Sequence, residues 1–449
     1  MPQSPLLDPV KLGLFVSRLE SVCEEMGAVL QRAAFSPNIK DRLDFSCAIF
    51  DARGDLCAQA AHIPVHLGSM AYAMADIVSA CEWRAGDMVV VNDPFLGGTH
   101  LPDVTVIAPY FDRRGTLLAF VVNRAHHADI GGSTPGSMPL SKTLAEEGVV
   151  IPPTVLVRGG NLDKGLLDAW FGDGQHGDFI AQISANRSGL HRLAELLEAL
   201  PVPFSAAVTQ LQDYAESIAR RRLAELPKGS YQFTDYMDDD GFGNSELPIA
   251  VSIKLGDDNV AVDFDGSAPQ VAGNINCPLS VALAQAAPEL IPAASQGSMN
   301  NVAMGGRGAG AHWDYYETIA GGMGAHSAGR GLSGVQSHMT NTLNTPVESL
   351  EMHYPLRVRR YALRTHSGGE GQFVGGEGVI REFEFLSPTQ FTLLTERRSL
   401  SPWGLAGGGN AQPGRNLFNG QTLAGKISMS AAAGDVLTIE TPGGGGWGK

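Results

Sequence analysis

The sequence predicts an α+β chain: a large mixed fold with an N-terminal helix, a metal-bearing strand-and-loop region, central helices and a β-rich C-terminal part. Three observations carry this. Leu12, Phe15, Val16, Leu19, Val22, Met26, Val29 and Leu30 recur at helical spacing near the N-terminus. The apolar runs Met88–Val91 and Leu117–Val122 are bounded by turn residues. From Glu351 onward, the segments LRVRRYALR, VIREFEFL, QFTLLTERRSL and KISMSAAAGDVLTIETP read as strands separated by turns.

In chain order, Asp8-Pro9 supplies an N-cap and a first-turn proline, so the first helix starts there and stops before Pro37. Asp51-Ala52-Arg53-Gly54-Asp55 is a hairpin turn between Cys47–Phe50 and Leu56–Gln59. The stretch from Ala61 to Ser69 leads into a helix over Met70–Cys81; its His62 and His66 have the chemistry of ligands, but flanked by Ile63 and Val65 they read rather as partly buried structural histidines. Helical tracts follow over Phe179–Leu200 and Phe204–Leu226. Beyond Leu226, Tyr231–Tyr236, Ile249–Leu255 and Val260–Phe264 alternate like strands, with Gly256–Asn259 as a turn. These changes divide the chain into 1–226, a central glycine-rich 227–350, and 351–449. Asp238-Asp239-Asp240-Gly241 is an acidic turn without the ligand spacing of an EF-hand, a loose calcium loop or a solvated one.

The 449 residues suffice for a large core, and 43% hydrophobic with 18% charged residues is an ordinary globular balance. A net charge of −15 and few basic runs argue against nucleic acid or an anionic membrane as partner. No apolar stretch is long enough to span a bilayer, and no signal peptide is evident. Five cysteines without CxxC spacing point to reduced thiols and a cytoplasmic setting. The 55 glycines predict many turns and close backbone approaches. Neither Gly305–Gly310 nor Gly321–Gly324 is followed by the Gly-Lys-Ser/Thr of a P-loop, so neither reads as a nucleotide-phosphate loop.

The chemistry concentrates between Val91 and Gly132. Asn92-Asp93-Pro94 and Gly97-Gly98 lead to His100 and Asp103, and the second run ends in Asn123-Arg124-Ala125-His126-His127-Ala128-Asp129. Arg114-Gly115 reads as the turn that folds the two clusters toward one another. Three imidazoles and several carboxylates without a cysteine suit a divalent ion, Zn or Mn ahead of Mg. The same residues also serve as ordinary turn formers, and spacing alone leaves both readings open.

Several long segments resemble the hydantoinase B/5-oxoprolinase family: SPNIKDRLDFSCAIFDARGDLCAQAAHIPVHLGSM, NDPFLGGTHLPDVTV, NRAHHADIGGSTPGSMP, NCPLS, ASQGSMNN, YYETIAGGMGA, HMTNTLNTPVE, PWGLAGG and ETPGGGGWG. The resemblance covers nearly the whole chain. It implies the B subunit of an ATP-dependent hydantoinase or oxoprolinase, opening a cyclic amide (hydantoin, 5-oxoproline or lactam) at a metal site. An A-type subunit supplies ATP-Mg chemistry, in a hetero-oligomer with two or more copies of each chain. It implies Asp41, His100, Asp103, His126 and Asp129 as metal-binding positions, with His127 as general base or as a hydrogen-bonding neighbour. Alternatives are a subunit of an ATP-dependent ketone carboxylase of the acetone or acetophenone type, and a non-catalytic scaffold for the A subunit. A stretch that the family carries after the position of Val281 is absent from this chain.

Overall fold

The computed structural model describes residues 7–60, 62–172, 176–257, 259–275, 291–297, 299–308 and 311–449. Cys277, NCPLS from Asn276 on, Asp258 of the expected 256–259 turn, Ala309-Gly310 and the junction after Val281 lie outside them. The chain forms two compact units. Unit 1 comprises 1–131, 147–219 and 341–343; unit 2 comprises 132–146, 220–340 and 344–449. Helices are combined with antiparallel sheets, the α+β class expected from the sequence.

Unit 1 opens with α1 (Pro9–Ala33), whose cap is the one read from the sequence: Asp8 accepts the Lys11 backbone N–H at 2.9 Å. After α2 (Pro37–Lys40) come β1 (Phe45–Asp51), β2 (Leu56–Gln59), α3 (Pro64–Ala80), β3 (Met88–Val91), β4 (Asp103–Phe111) and β5 (Leu117–His126). In chain order come short α4 (Leu144–Glu147), all but its last residue in unit 2, then β6 (Thr154–Arg158), β7 (Asn161–Leu162), α5 (Lys164–Phe171), α6 (Gly177–Glu198) and α7 (Phe204–Ala224), whose last residues from 220 on belong to unit 2. The strands form one antiparallel sheet ordered β2-β1-β5-β4-β3-β6-β7. The expected hairpin between Phe111 and Leu117 is present, and Asp112 shapes its turn by accepting the Arg114 and Thr116 N–H groups at 2.8 Å each.

Both faces of this sheet are covered, which is why β1 and β3 read as continuous apolar runs rather than alternations. On one face Met70, Ala73, Met74 and Ile77 of α3 pack on Ala48, Phe50, Val91, Ile107, Phe120 and Val122. On the other, α6 lies against β4 and β5, with α1 packed on α6. There Gln182 and Asn186 donate to the carbonyls of Val104 and Val106 at 2.8 and 2.9 Å, and Asn123 donates to the Gln182 carbonyl at 2.9 Å.

One element begins earlier than expected. The helix anticipated over Met70–Cys81 starts at Pro64, a first-turn proline, so His66 belongs to its first turn. No helix among the described residues is long and apolar enough to cross a membrane, and Cys23, Cys47, Cys57 and Cys81 are free thiols.

Unit 2 contains β8 (Gly229–Asp239), β9 (Ser245–Leu255) and β10 (Val260–Asp263) in a three-stranded sheet. Then follow β11 (Asn300–Gly308), β12 (Ala311–Thr318), α8 (Val347–His353), β13 (Leu356–Arg364), β14 (Gly378–Phe385), β15 (Thr389–Thr395), β16 (Arg415–Phe418), β17 (Gln421–Leu423), β18 (Lys426–Ala431) and β19 (Val436–Glu440). They build a four-stranded sheet, β12-β11-β15-β18, and a five-stranded sheet, β13-β14-β19-β16-β17. Val302, Met304, Tyr315, Phe391 and Leu393 of the first meet Val379, Phe383, Phe385, Leu437 and Ile439 of the second in one apolar core.

The acidic turn at Asp238–Asp240 is neither solvated nor open. Asp238 and Asp240 are buried; Asp238 accepts backbone N–H groups of Ser399 and Leu400, and Asp240 those of Phe242 and Asn244. The glycine tail has a packing reason: a Cβ on Gly444 would overlap the Met323 carbonyl, and one on Gly445 that of Trp403.

Candidate metal centre

Antiparallel register brings the two polar clusters of unit 1 together. Asp103 of β4 is directly opposite His126 of β5, so both side chains leave the sheet on the same face. Thr105 and Ser46 are each opposite Arg124 on that face, which is the one covered by α3. His100 arrives from the loop before β4.

That loop is fixed by buried polar groups. Asn92, 2% exposed, donates to the Leu101 and Val149 carbonyls at 2.9 Å each and accepts the Ile151 N–H at 2.6 Å. Asp93 accepts the Phe95 N–H at 2.9 Å, the turn chemistry of Asx-Pro. Gly97 has φ +73°, and a Cβ there would overlap the Ala73 methyl of α3. The Gly97 carbonyl accepts Arg124 at 3.0 Å, and Arg124 also donates to Thr105 and Ser69 at 2.8 and 2.6 Å. Burial lowers this guanidinium to about 10 while Asp103 works to raise it.

The result is a three-donor cluster: one potential ligand atom from each of His100, Asp103 and His126 lies within 4.8 Å of the others. The His100 Nδ1 to Asp103 Oδ2 distance is 3.0 Å, and Thr99 donates to the same carboxylate oxygen. The two imidazole rings are near-perpendicular at 4.9 Å between centroids. Asp103 and His126 are buried, whereas the His100 side chain is 29% exposed and gives the cluster its access.

The charges are sorted. Burial works to raise Asp103, but His100 and His66 beside it hold its carboxyl well below the usual range. Burial works to lower His100, and the charge and hydrogen bond of Asp103 outweigh it, raising the imidazole. Burial drives His126 down to about 4, against the opposing pull of Asp44. The donor set is therefore one firm carboxylate, one neutral imidazole and one imidazole held by that carboxylate.

Two residues assigned no such role from the sequence stand at this cluster. His66 brings Nε2 to 3.3 Å from Asp103 Oδ1, and its Nδ1 lies 3.2 Å from Ser46 Oγ. Asp44 places Oδ2 3.8 Å from His126 Nδ1, too long for a hydrogen bond, while its carbonyl accepts the His126 N–H at 3.0 Å. The sequence signal for His66 was the His-x3-His spacing with Pro64 between; for Asp44 it was the second aspartate of the DRLD run.

The other residues singled out in the sequence are placed elsewhere. Asp41 caps the C-terminus of α2 and Asp129 accepts the Gly131 N–H at 2.8 Å; neither joins the three-donor group. His127 turns to the opposite face of the sheet, its Nε2 2.9 Å from Gln182 Oε1 and its ring 4.4 Å from that of Phe179. His62 accepts the Cys47 N–H at 3.3 Å.

Residues 8–287 and 279–449 match the hydantoinase B/oxoprolinase family. The chain belongs to that family. A 5-oxoprolinase of Dictyostelium discoideum is 37% identical over 520 aligned positions, taking in 99% of this chain and 40% of that protein. A Pseudomonas sp. (strain NS671) protein, provisionally named as the B-type subunit of a D-/L-hydantoinase, is 28% identical, over 99% of this chain and 90% of its own length. Among solved structures, the ATP-dependent caprolactamase from Pseudomonas jessenii superposes with a TM-score of 0.89 at 26% identity, covering 98% of this chain and 91% of that one. This hydantoinase B family chain thus spans about two fifths of the 5-oxoprolinase it matches and nearly all of the protein named as a subunit. The 520 aligned positions exceed its 449 residues, so that relative carries residues this chain lacks.

Proposed function

We propose that this chain is the B component of an ATP-dependent amide-opening enzyme, hydrolysing a cyclic amide such as hydantoin, 5-oxoproline or a lactam after an A-type partner has activated it. The observation that carries the reading is the convergence of His100, Asp103 and His126, with one exposed member, in a family whose relatives are named 5-oxoprolinase and ATP-dependent caprolactamase.

The cluster fits a divalent ion on the chemistry of its donors. Two imidazoles and a carboxylate without thiolate suit Zn or Mn ahead of Mg, and three protein donors are the number found in catalytic zinc sites. Such an ion supplies Lewis acidity, lowering the pKa of water and polarising a carbonyl oxygen. The residues do the rest. Asp103 stays ionised; His66, Thr99 and His100 orient its carboxylate. Asp44 and the antiparallel pairing fix where the His126 ring stands. Arg124 ties the His100 loop to the sheet. His127, engaged with Gln182 on the other face, positions α6 against β5.

The reaction needs an activated carbonyl, because a lactam amide is resonance-stabilised and a poor electrophile. Once the amide oxygen is phosphorylated, one water adds to the carbonyl carbon and the C–N bond breaks, the nitrogen leaving as the amine and the carbon remaining as an acyl phosphate; a second water then hydrolyses that anhydride to the carboxylate and phosphate. No P-loop sequence is present in this chain, so the phosphoryl donor belongs to the partner.

The test is co-expression with an A-type chain, followed by metal analysis and an assay of ring opening with and without ATP. The expected result is stoichiometric Zn or Mn in this chain and hydrolysis that requires both chains and ATP. Full activity of the A chain alone would overturn the reading, and bicarbonate-dependent carboxylation of a ketone would replace it with a carboxylase.

A further inference from the structure

Unit 2 holds a second concave site, away from any residue used above. A cavity of about 600 Å³ is lined by Arg360 and Arg364 of β13, His366, Arg398, Arg415 of β16 and Glu440 of β19. Four guanidinium groups thus share a cavity with one carboxylate, in a chain whose net charge is −15. The cationic character is local, and a concave low-dielectric wall focuses such a field.

Glu440 is already committed. It accepts Arg415 through Nε and Nη2 at 2.9 and 2.7 Å, and Arg364 Nε stands 3.2 Å from the same oxygen. Arg398 is held by neutral oxygens: Asn416 Oδ1 at 3.1 and 3.0 Å, Asn300 Oδ1 at 2.7 Å and the Glu396 carbonyl at 2.6 Å. Burial pulls this guanidinium down to about 9, with Asp238 and Glu396 opposing from a distance. Among the described residues no carboxylate makes an ion pair with Arg398 or with Arg360. Glu382, opposite Arg360 on β14, is instead approached by Arg359 at 3.5 Å and Thr438 at 3.2 Å.

A half-buried cation such as Arg398, held only by amide and carbonyl oxygens, gains from an anion that completes it, and the exposed Arg360 on the same cavity wall makes no ion pair among the described residues. Here two cations remain after Glu440 is counted against its own arginines. The planar fork of arginine matches carboxylate and phosphate oxygens. The volume is that of a small-molecule site, roughly 300–1,000 Å³, and an inorganic ion would fill little of it. We infer that this cavity binds a small organic dianion, a phosphate monoester or a dicarboxylate.

Titration calorimetry on the full chain, with any co-purifying partner, tests this with glycerol 2-phosphate, glutarate, inorganic phosphate and neutral glutaramide. Glycerol 2-phosphate or glutarate should bind saturably and lose affinity as salt is added, and whichever binds tighter names the ligand class. Inorganic phosphate should bind more weakly and glutaramide not at all. Arg360→Glu should weaken binding by about tenfold or more, the scale of a lost charged hydrogen bond. Arg360 is exposed and makes no ion pair among the described residues, but Glu382 is directly opposite it, so the reversal costs some stability; Arg360→Gln, which only removes the charge, should weaken binding in the same direction. Arg357→Glu, on the same strand but outside the lining, should leave affinity unchanged, as should His126→Ala in unit 1. Absence of saturable binding by either dianion, or equal weakening by Arg360→Glu and Arg357→Glu, overturns the proposal.

Discussion

Asp103 and His126 are paired residues of adjacent antiparallel strands, and this pairing, not loop proximity, sets their separation. The sheet would therefore survive loss of either side chain's chemistry. Replacing His100 or His126 by Ala is expected to strip the metal while leaving far-ultraviolet circular dichroism unchanged. Stoichiometric metal retained in both variants would sink the assignment.

Asp41 and Asp44 make opposite predictions although three residues separate them. Asp44 faces His126 and Asp41 caps α2 outside the three-donor group. Asp44→Asn should lower metal affinity by about 10- to 100-fold, the usual cost of losing a group that orients a ligand. Asp41→Asn should change it by less. Competition with a chelator of known affinity measures both, and a larger effect at Asp41 would put the ion nearer α2.

In the metal-free protein His126 should make stability fall as the pH falls from neutral, while His100, raised by Asp103, works the other way. The His126 imidazole, at about 4 in the folded chain, lies below its ordinary 6.5, because burial disfavours the cation. Between those values the unfolded chain binds a proton that the native one does not, so stability falls with falling pH. The contribution is roughly 1 kcal/mol at pH 5.5 relative to pH 7.5. Urea midpoints of chelator-treated protein at the two pH values read it. His126→Gln should show a smaller pH dependence; an unchanged one would mean that His126 titrates normally in the native state.

Much of this was legible in the sequence because local chemistry agreed with the final fold. The Arg114-Gly115 turn and the apolar run from Leu117 marked the hairpin, although β4 itself was not legible as a strand, and the register of that hairpin brings Asp103 to His126. In the sequence His66 has the chemistry of a ligand but reads as a structural histidine. With the helix expected to begin at Met70, His66 fell in a lead-in stretch; Pro64 starts the helix earlier and points its first turn at Asp103. Asp44 could not be told from Asp41 because a left-handed residue, Leu43 at φ 55°, turns the chain between them. The 55 glycines announced close backbone approaches, but not which carbonyls Gly444 and Gly445 would meet.

Gly97 tests how the His100 loop is held. Its φ of +73° disfavours any side chain, and a Cβ would overlap Ala73 on α3. Gly97→Ala should therefore cost about 2 kcal/mol or more, from overpacking and backbone strain together. Because the Gly97 carbonyl anchors Arg124, the variant should also lose metal affinity without touching a donor. Adding Ala73→Gly removes the closest overlap, that with the Ala73 methyl, but leaves the Ser69 carbonyl at 2.8 Å and the left-handed backbone. The double variant should recover part of the stability lost by Gly97→Ala, beyond the cost that Ala73→Gly carries alone in a helix, about 1 kcal/mol. Strict additivity in a double-mutant cycle of denaturant midpoints would show that Gly97 and Ala73 do not meet as described, and that the Ser69 carbonyl and the backbone conformation are what require the glycine.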